Sequence, residues 1–70
     1  MINQKELAKT LQILRAKNGL TQIELANKSG VSTCTVAFIE NCKKVPRVDT
    51  LIKIAKALSV DEDELLKYIM

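Results

Sequence analysis

Residues 20–41 constrain the fold of this 70-residue chain more than any other stretch. Thr21 is followed three residues later by Glu24, the spacing of a capping box, which predicts a helix beginning directly after Thr21. Gly30 permits the positive φ with which a helix can end, and Ser32 is a favourable cap for a second helix. Two short helices joined by a turn of about four residues form a helix-turn-helix. In that motif the second helix usually enters the major groove of DNA.

Capping residues and apolar residues at helical spacing predict five helices. They run from about Gln4 to Lys17, Gln22 to Lys28, Thr33 to Asn41, Thr50 to Leu58, and from just after Asp61 to Tyr68. Asn3, Asp49 and Asp61 are the predicted caps of the first, fourth and fifth helices. The predicted inward side chains are Leu7, Leu11, Leu14, Leu25, Ala26, Val36, Ile39, Leu51, Ile54, Ala55, Leu58, Leu65 and Leu66. With no strand predicted, we expect an all-α chain, a single domain over residues 1–70 with its motif at about 21–41.

Charge is unevenly distributed along the chain. Residues 1–58 hold ten of the eleven lysines and arginines but four of the eight acids, whereas residues 59–70 hold four acids and one lysine. A basic body suits a polyanionic partner, because lysine and arginine neutralise phosphates and release counterions. Mild basicity is also common among small proteins, so the charge adds only modest support.

The sequence lacks the residue sets that catalysis or metal binding would need. It contains no histidine, no glycine-rich phosphate loop and two cysteines that are not spaced as CxxC. A structural zinc site needs four suitable ligands, so we expect no metal, no cofactor and no enzymatic activity. Two cysteines are too few for a secreted disulfide scaffold, and neither a signal peptide nor a membrane-spanning apolar run is found. We therefore expect a cytoplasmic protein that does not bind membranes.

Several short motifs resemble those of a known family when they are taken together. They are Leu20-Thr-Gln with Glu24-Leu-Ala, Gly30-Val-Ser, Ile39-Glu-Asn, Pro46, and Thr50-Leu followed by Ile54-Ala-Lys-Ala-Leu. In order and spacing they resemble the DNA-binding domain of the phage Cro and repressor (Xre-like) helix-turn-helix family, from about Leu11 to Leu66. The resemblance implies a compact five-helix, lambda-repressor-like domain that binds DNA sequence-specifically, usually as a dimer.

The resemblance assigns the reading of DNA bases to the third helix. It places the base-reading positions at Thr33, Cys34 and Phe38, with Ser32 and Ala37 beside them. The family usually has Gln, Arg, Lys, Ser or Asn there, and such side chains read a base pair through hydrogen bonds. Here Thr33 offers one hydrogen bond and Cys34 is a poor partner, whereas Ala37 and Phe38 offer apolar contact to a thymine methyl group. We therefore expect readout through a few apolar contacts together with DNA shape.

Phe38 has three interpretations at this stage. It is the only phenylalanine in the chain, and a 3.6-residue period places it on the outward face of the third helix. There it can contact DNA or act as an anchor for a protein partner. If the helix is rotated, Phe38 is a core residue instead. DNA contact is the interpretation that we favour.

Polar residues around the third helix are candidates for contacts to DNA phosphates. Gln22 stands at the N-terminus of the second helix, where backbone N–H groups can hold a phosphate, and the resemblance assigns it this role. Asn41, Lys43 and Lys44 follow the third helix, where the backbone of the duplex passes. For Arg47, the resemblance suggests a reach toward the minor groove. The alternative for the three cations is a solvated loop.

Arg15 and Glu40 have a structural role by the same resemblance, which pairs them as a salt bridge between the first helix and the end of the third. Cys42 stands where the family usually has glycine, so a positive φ would be strained there. Cys34 and Cys42 are eight residues apart, about 12 Å along a helix, and cannot form a disulfide within it. Redox sensing by Cys34 is one interpretation, and an incidental small residue is the one that we favour.

These features predict a transcriptional regulator, in particular a repressor that binds double-stranded DNA as a homodimer on a palindromic operator. Such dimers place two recognition helices about 34 Å apart. The predicted dimer surface is the C-terminal region, which comprises Leu66, Tyr68, Ile69 and Met70. Val48 and Leu51 are candidates for the neighbouring part of that surface. We expect no pocket for a small-molecule inducer. The alternative is an antitoxin- or co-regulator-like protein-interaction module on the same fold, with weak DNA binding, because the outward side chains of the third helix hydrogen-bond weakly.

Overall fold

Five helices form the part of the chain that the computed structural model describes, residues 2–70. The first residue of the predicted domain lies outside that range. The helices are α1 (Gln4–Lys17), α2 (Gln22–Ser29), α3 (Thr33–Glu40), α4 (Val48–Ala57) and α5 (Asp63–Leu66). Residues 2–70 contain no strand, which confirms the predicted all-α class. None of these helices is long and apolar enough to span a membrane.

Side chains close in sequence fix the beginnings of α1, α2 and α3, as predicted. Asn3 and Ser32 cap α1 and α3 by accepting the backbone N–H three residues further on, at 3.2 and 3.1 Å. At α2 the capping box is reciprocal: Thr21 Oγ1 accepts the N–H of Glu24 at 3.1 Å, and Glu24 Oε1 accepts the N–H of Thr21 at 2.8 Å. Gly30 ends α2 with a φ of 77°, which a residue without Cβ adopts without strain.

The predicted cap of α4 is wrong. The helix begins at Val48, two residues earlier than predicted, and its N-cap is Arg47, whose side chain makes no capping hydrogen bond. Asp49 lies inside the first turn, where its charge is favourable to the helix dipole. The first turn is closed by the N–H of Leu51, which donates to the Arg47 carbonyl at 3.1 Å. The complete burial of Leu51 and Ile54 fixes this start through packing instead of a side-chain cap.

The fifth helix is shorter than predicted. It ends at Leu66, not near Tyr68, and its N-cap is Glu62. Asp61 is therefore not the cap, although its carboxylate still accepts the N–H of Asp63 at 3.3 Å. Beyond Leu66 the chain continues as single turns, in which Tyr68 and Ile69 donate their N–H groups to carbonyls three residues earlier.

One hydrophobic core is built from all five helices. α3 packs against both α1 and α2, while α4 packs against α2 and α5. The predicted inward residues are buried, except that Leu14 is half-buried. Ala8 and Ala57 are also buried, although their positions were not predicted to point inward. Because α1 and α2 cover two sides of α3, the remaining face of this helix points away from the core.

Part of the predicted dimer surface belongs to this core, which corrects the prediction for Leu66 and Leu51. Leu66 is 7% exposed and Leu51 is 0% exposed, so neither can contact a second subunit in this conformation. Tyr68 is half-buried and its hydroxyl accepts a hydrogen bond from Thr10 Oγ1 at 3.1 Å. Ile69 is half-buried, whereas Met70 is 74% exposed.

Candidate nucleic-acid interface

The outward face of α3 begins at its N-terminus. Val36 and Ile39 are buried on the inner face, as their spacing predicts. Thr33 and Cys34, in the first turn, are exposed. Ala37 is half-buried, so only part of its methyl group can be reached from outside. The exposed face of α3 therefore includes less of Ala37 than the sequence predicts.

Ser32 is exposed, but its hydroxyl already has a structural role. The Ser32 oxygen accepts the backbone N–H of Thr35 at 3.1 Å, and it lies 2.8 Å from the hydroxyl oxygen of Thr35. Any contact of Ser32 with a base would share this oxygen with the cap of α3. Thr33 consequently has the less committed hydroxyl of the two.

Phe38 lies beside a cleft between α3 and the segment that leads to α4. Its side chain is 40% exposed, so the interpretation of Phe38 as a core residue is wrong. The cleft has a volume of about 420 Å³ and is lined by Cys34, Phe38, Lys44 and Arg47 together with neighbouring residues. Lys44 Nζ lies 5.9 Å from the centre of the Phe38 ring, within the range of a cation–π interaction. This arrangement joins an aromatic surface to positive charge.

The chain leaves α3 through a strained residue. Cys42 has a φ of 57°, in the left-handed region where the resemblance implied a glycine. Two hydrogen bonds close the end of the helix here: the N–H of Asn41 donates to the Ala37 carbonyl at 2.9 Å, and that of Lys43 donates to the Phe38 carbonyl at 2.8 Å. The Cys42 thiol lies 3.6 Å from the carbonyl of Gln4 in α1. The turn thus fixes the direction in which Lys43 leaves the helix.

Three cations follow this turn, and all of them are exposed: Lys43, Lys44 and Arg47. None of the three forms a salt bridge with an acid among residues 2–70. Their charges are therefore available to a polyanion that approaches the outward face of α3. Asn41, the C-cap of α3, is exposed next to them.

The Arg15–Glu40 ion pair that the resemblance implied is present in the structure. Arg15 Nε lies 2.7 Å from Glu40 Oε2, and Arg15 Nη2 donates to Glu40 Oε1 at 3.1 Å. The hydrogen bond to Glu40 raises the pKa of the Arg15 guanidinium above its ordinary value, and desolvation opposes this rise. A third guanidinium nitrogen, Nη1, donates to the Leu20 carbonyl at 2.8 Å. Each of the three guanidinium nitrogens of Arg15 thus donates one hydrogen bond within the fold.

Gln22 lies at the N-terminus of α2, beside this ion pair. It is half-buried, and its Nε2 donates to Glu40 Oε1 at 3.0 Å. The capping box already uses the N–H groups of Thr21 and Glu24. Those of Gln22 and Ile23 therefore remain as the candidate backbone donors to a phosphate. The link between Gln22 and Glu40 was not predicted from the sequence.

Other residues near the interface were also not predicted. Thr35 and Thr50 line the cleft beside Phe38. Gln12 Nε2 donates to the backbone carbonyl of Glu40 at 3.0 Å and so supports the C-terminal end of α3. Pro46 is the one sequence signal for the cleft, since it enforces an extended approach to α4. Nothing in the sequence distinguishes Gln12 from an ordinary surface residue of α1.

The two cysteines are both exposed and both free. Cys34 lies on the outward face of α3, while Cys42 occupies the strained turn after this helix. They form no disulfide with each other, and Cys42 lies beyond the end of α3.

Comparisons with known proteins agree with this geometry. The sequence profile of the family HTH_3, described as Helix-turn-helix, matches residues 11–65. Antitoxin HipB of Escherichia coli K12 is 34% identical over 79% of this chain and 62% of its own length. An HTH-type transcriptional regulator of Methanocaldococcus jannaschii is 40% identical over 83% of this chain and 88% of its own length. The HTH-type transcriptional repressor RghR of Bacillus subtilis is 40% identical over 80% of this chain and 42% of its own.

A solved structure has the same fold. The crystal structure of an HTH_3 family transcriptional regulator from Vibrio cholerae superposes with a TM-score of 0.83 at 30% identity. The match covers 91% of this chain and 36% of that chain. This chain therefore corresponds to about a third of that regulator, and to less than two thirds of HipB.

Proposed function

Because this chain belongs to the helix-turn-helix family HTH_3, whose regulators bind double-stranded DNA, we propose that it is a sequence-specific DNA-binding transcriptional regulator. One observation carries the proposal. Thr33, Cys34 and Phe38 are exposed on α3, and the segment that follows this helix carries three exposed cations that form no salt bridge among residues 2–70. Residues 1–58 hold ten basic and four acidic residues. A recognition helix flanked by phosphate-binding cations is the arrangement that reading a major groove requires.

In this proposal, α3 reads bases through few hydrogen bonds. Thr33 contributes one hydroxyl, and Cys34 and Phe38 supply apolar contact, for which a thymine methyl group is the natural target. Ser32 and the partly covered Ala37 lie at the edge of that contact. Because these side chains discriminate bases weakly, DNA shape and deformability carry the rest of the specificity.

Phosphate contacts supply most of the affinity in this proposal. Gln22 with the N-terminus of α2 holds one strand, while Asn41, Lys43 and Lys44 hold the other. Arg47 extends toward the minor groove. Contacts of this kind position the protein without reading sequence, and they make binding strongly dependent on salt.

We further propose that two copies bind a palindromic operator and repress transcription. Occupying a promoter excludes polymerase without any further contact, and one relative of this chain, RghR, is named a repressor. The corrected dimer surface consists of Met70 with the exposed parts of Tyr68 and Ile69, and Val48, which is 45% exposed, is the neighbouring candidate.

A second function is supported by a separate observation. Phe38 is exposed beside the 420 Å³ cleft, as an anchor for a protein partner would be, and HipB is named an antitoxin. In this alternative the chain is a protein-interaction module with weak DNA binding. It does not explain why Lys43, Lys44 and Arg47 form no salt bridge among residues 2–70, so we place it second.

The salt dependence of duplex binding separates the two functions. Three cations in each of two subunits, each neutralising one phosphate, predict a slope of about −5 for log affinity against log salt concentration. Replacing Lys43 and Lys44 together by alanine should reduce the magnitude of that slope by about 3 to 4 in a dimer. The matched control replaces Lys53 and Lys56 of α4, which removes the same charge elsewhere. Weak, salt-insensitive binding, or an equal effect of both double variants, would favour the interaction module.

A further inference from the structure

Glu40 accepts hydrogen bonds from three residues that belong to two other helices, α1 and α2. It is the last residue of α3 and is 5% exposed, so it cannot reach a DNA backbone itself. Its carboxylate accepts two bonds from Arg15 of α1 and one from Gln22 of α2, and its backbone carbonyl accepts one from Gln12. The two helices of the motif are therefore joined through a buried carboxylate at the place where α2 begins.

The contact with Glu40 fixes which way the Gln22 amide faces. A carboxylate only accepts hydrogen bonds. The amide atom of Gln22 that lies 3.0 Å from Glu40 Oε1 must therefore be the nitrogen of the NH₂ group and not the carbonyl oxygen. An amide group is planar and carries two N–H bonds in fixed directions. Once one of them is bound to Glu40, the direction of the second is set as well. No acceptor for that second N–H is found among residues 2–70.

We propose that Glu40 is a positioning residue for DNA binding: its buried carboxylate holds one N–H of Gln22 and thereby aims the other at a phosphate of the duplex. The proposal rests on the proposed DNA-binding function and adds a residue that never touches DNA. A glutamine on the surface would have to be ordered when DNA binds, whereas Gln22 is ordered beforehand, which lowers the cost of the contact. Arg15 contributes by holding the Glu40 carboxylate in place through its two bonds.

A double-mutant cycle on duplex affinity tests this link. Gln22→Ala should weaken binding by about tenfold in the wild-type background and by clearly less in a Glu40→Gln background, where the amide is no longer held by a charge. Gln12→Ala is the matched control, because Gln12 also donates to Glu40 but through the backbone carbonyl. It should lower the melting temperature without changing the effect of Gln22→Ala. Additive effects of Gln22→Ala and Glu40→Gln would overturn the proposal.

The side-chain amide resonances of Gln22 give a second test that needs no Glu40 variant. In the free wild-type protein, one Nε2 proton should exchange with water more slowly than its partner. When duplex is added, that proton should remain protected while the other shifts. Equal exchange of both protons, or loss of the protected proton on adding duplex, would overturn the proposal. If the wild-type protein binds no duplex at all, the proposed function itself fails, and the inference fails with it.

Discussion

At the scale of single residues, Cys42 has the most unusual conformation in the interface. Its left-handed φ of 57° lets the chain turn from the end of α3 toward Lys43. For an L-residue with a Cβ atom this region is costly by about 1–2 kcal/mol. The thiol contact with the Gln4 carbonyl, at 3.6 Å, is a weak compensation. The family resemblance identified this position as one where glycine is usual, and the left-handed φ gives the physical reason.

Cys42→Gly should therefore stabilise the fold. Removing the Cβ relieves the left-handed strain, and the greater freedom of glycine in the unfolded chain offsets part of this, leaving a gain of about 0.5–1 kcal/mol. Chemical denaturation measures the free energy of unfolding. Ser59→Gly, at the other non-glycine residue with positive φ among residues 2–70, should give a gain of the same sign. Loss of stability in Cys42→Gly would show that the thiol contact outweighs the strain.

Arg15→Ala should destabilise the protein by about 3 kcal/mol, because it leaves the Glu40 carboxylate buried without its charge partner. Lys17→Ala, an exposed lysine in the last turn of the same helix, should change stability little. Thermal unfolding of both variants at neutral pH measures the difference. Equal melting curves for Arg15→Ala and the wild type would remove the structural role of this pair.

At the scale of elements, the first residue of a helix can be predicted from the sequence when a nearby side chain caps that helix. α1, α2 and α3 begin at side chains that bond three residues ahead, so local pattern alone placed their first residues correctly. α4 begins without a side-chain cap, and α5 has no capping bond from its N-cap residue. Their starts depend on packing against distant residues. Asp49 was therefore a misleading signal at α4, whereas Asp61 bonds the N–H of Asp63 at the start of α5 without being its N-cap.

In the candidate interface, too, local features could be predicted from the sequence, whereas contacts between distant residues could not. The outward face of α3 follows from a 3.6-residue period and was predicted, apart from the partial burial of Ala37. The bond between Gln22 and Glu40 joins residues 18 apart in sequence, and that from Gln12 to Glu40 joins residues 28 apart. Neither contact is marked by a local pattern. Such contacts become visible only when the helices are assembled.

The capping box of α2 should make stability depend on pH. Hydrogen bonds from the backbone N–H and the hydroxyl of Thr21 hold the pKa of Glu24 below its ordinary value of 4.5. A pKa lowered by folding means that the stabilisation is fully present above about pH 4.5 and is lost as the pH falls through the folded-state pKa. Glu24→Gln keeps a side chain that can complete the capping box but removes the carboxyl group that titrates.

Lowering the pH from about 6 to about 3 should therefore reduce the melting temperature of the wild type more than that of Glu24→Gln. Glu6→Gln, which replaces the acid in the first turn of α1, is the control for a general loss of negative charge. If the wild type and Glu24→Gln respond identically to acid, the charged form of the capping box contributes nothing measurable.

At the scale of the whole molecule, the proposed homodimer depends on which apolar residues the single chain leaves exposed. Part of the predicted dimer surface is committed to the core: Leu66 and the neighbouring candidate Leu51 are buried, whereas Tyr68 and Ile69 are half-buried and Met70 is exposed. The sequence indicated these residues as apolar but could not show which of them the single chain already covers. Met70 and Val48 are the exposed large apolar residues that remain in the proposed dimer surface.

Met70→Lys should weaken the dimer, because it places a charge on the most exposed apolar side chain of that surface. Ile13→Lys, at a 48%-exposed position in α1, is the control for adding a lysine outside the surface. Sedimentation over a range of protein concentrations should show dissociation of Met70→Lys at concentrations where the control remains dimeric. A dimer that is unchanged by Met70→Lys would exclude this part of the C-terminal region as its interface.

The most direct test of sequence-specific DNA binding is to select bound duplexes from a random DNA pool at moderate salt and to sequence them. The proposed function predicts an enriched palindrome with half-sites about one helical turn apart, near 34 Å, and rich in thymines where Cys34 and Phe38 would contact the major groove. A selected pool that remains indistinguishable from the input would contradict sequence-specific binding and would make a protein partner at Phe38 the better explanation.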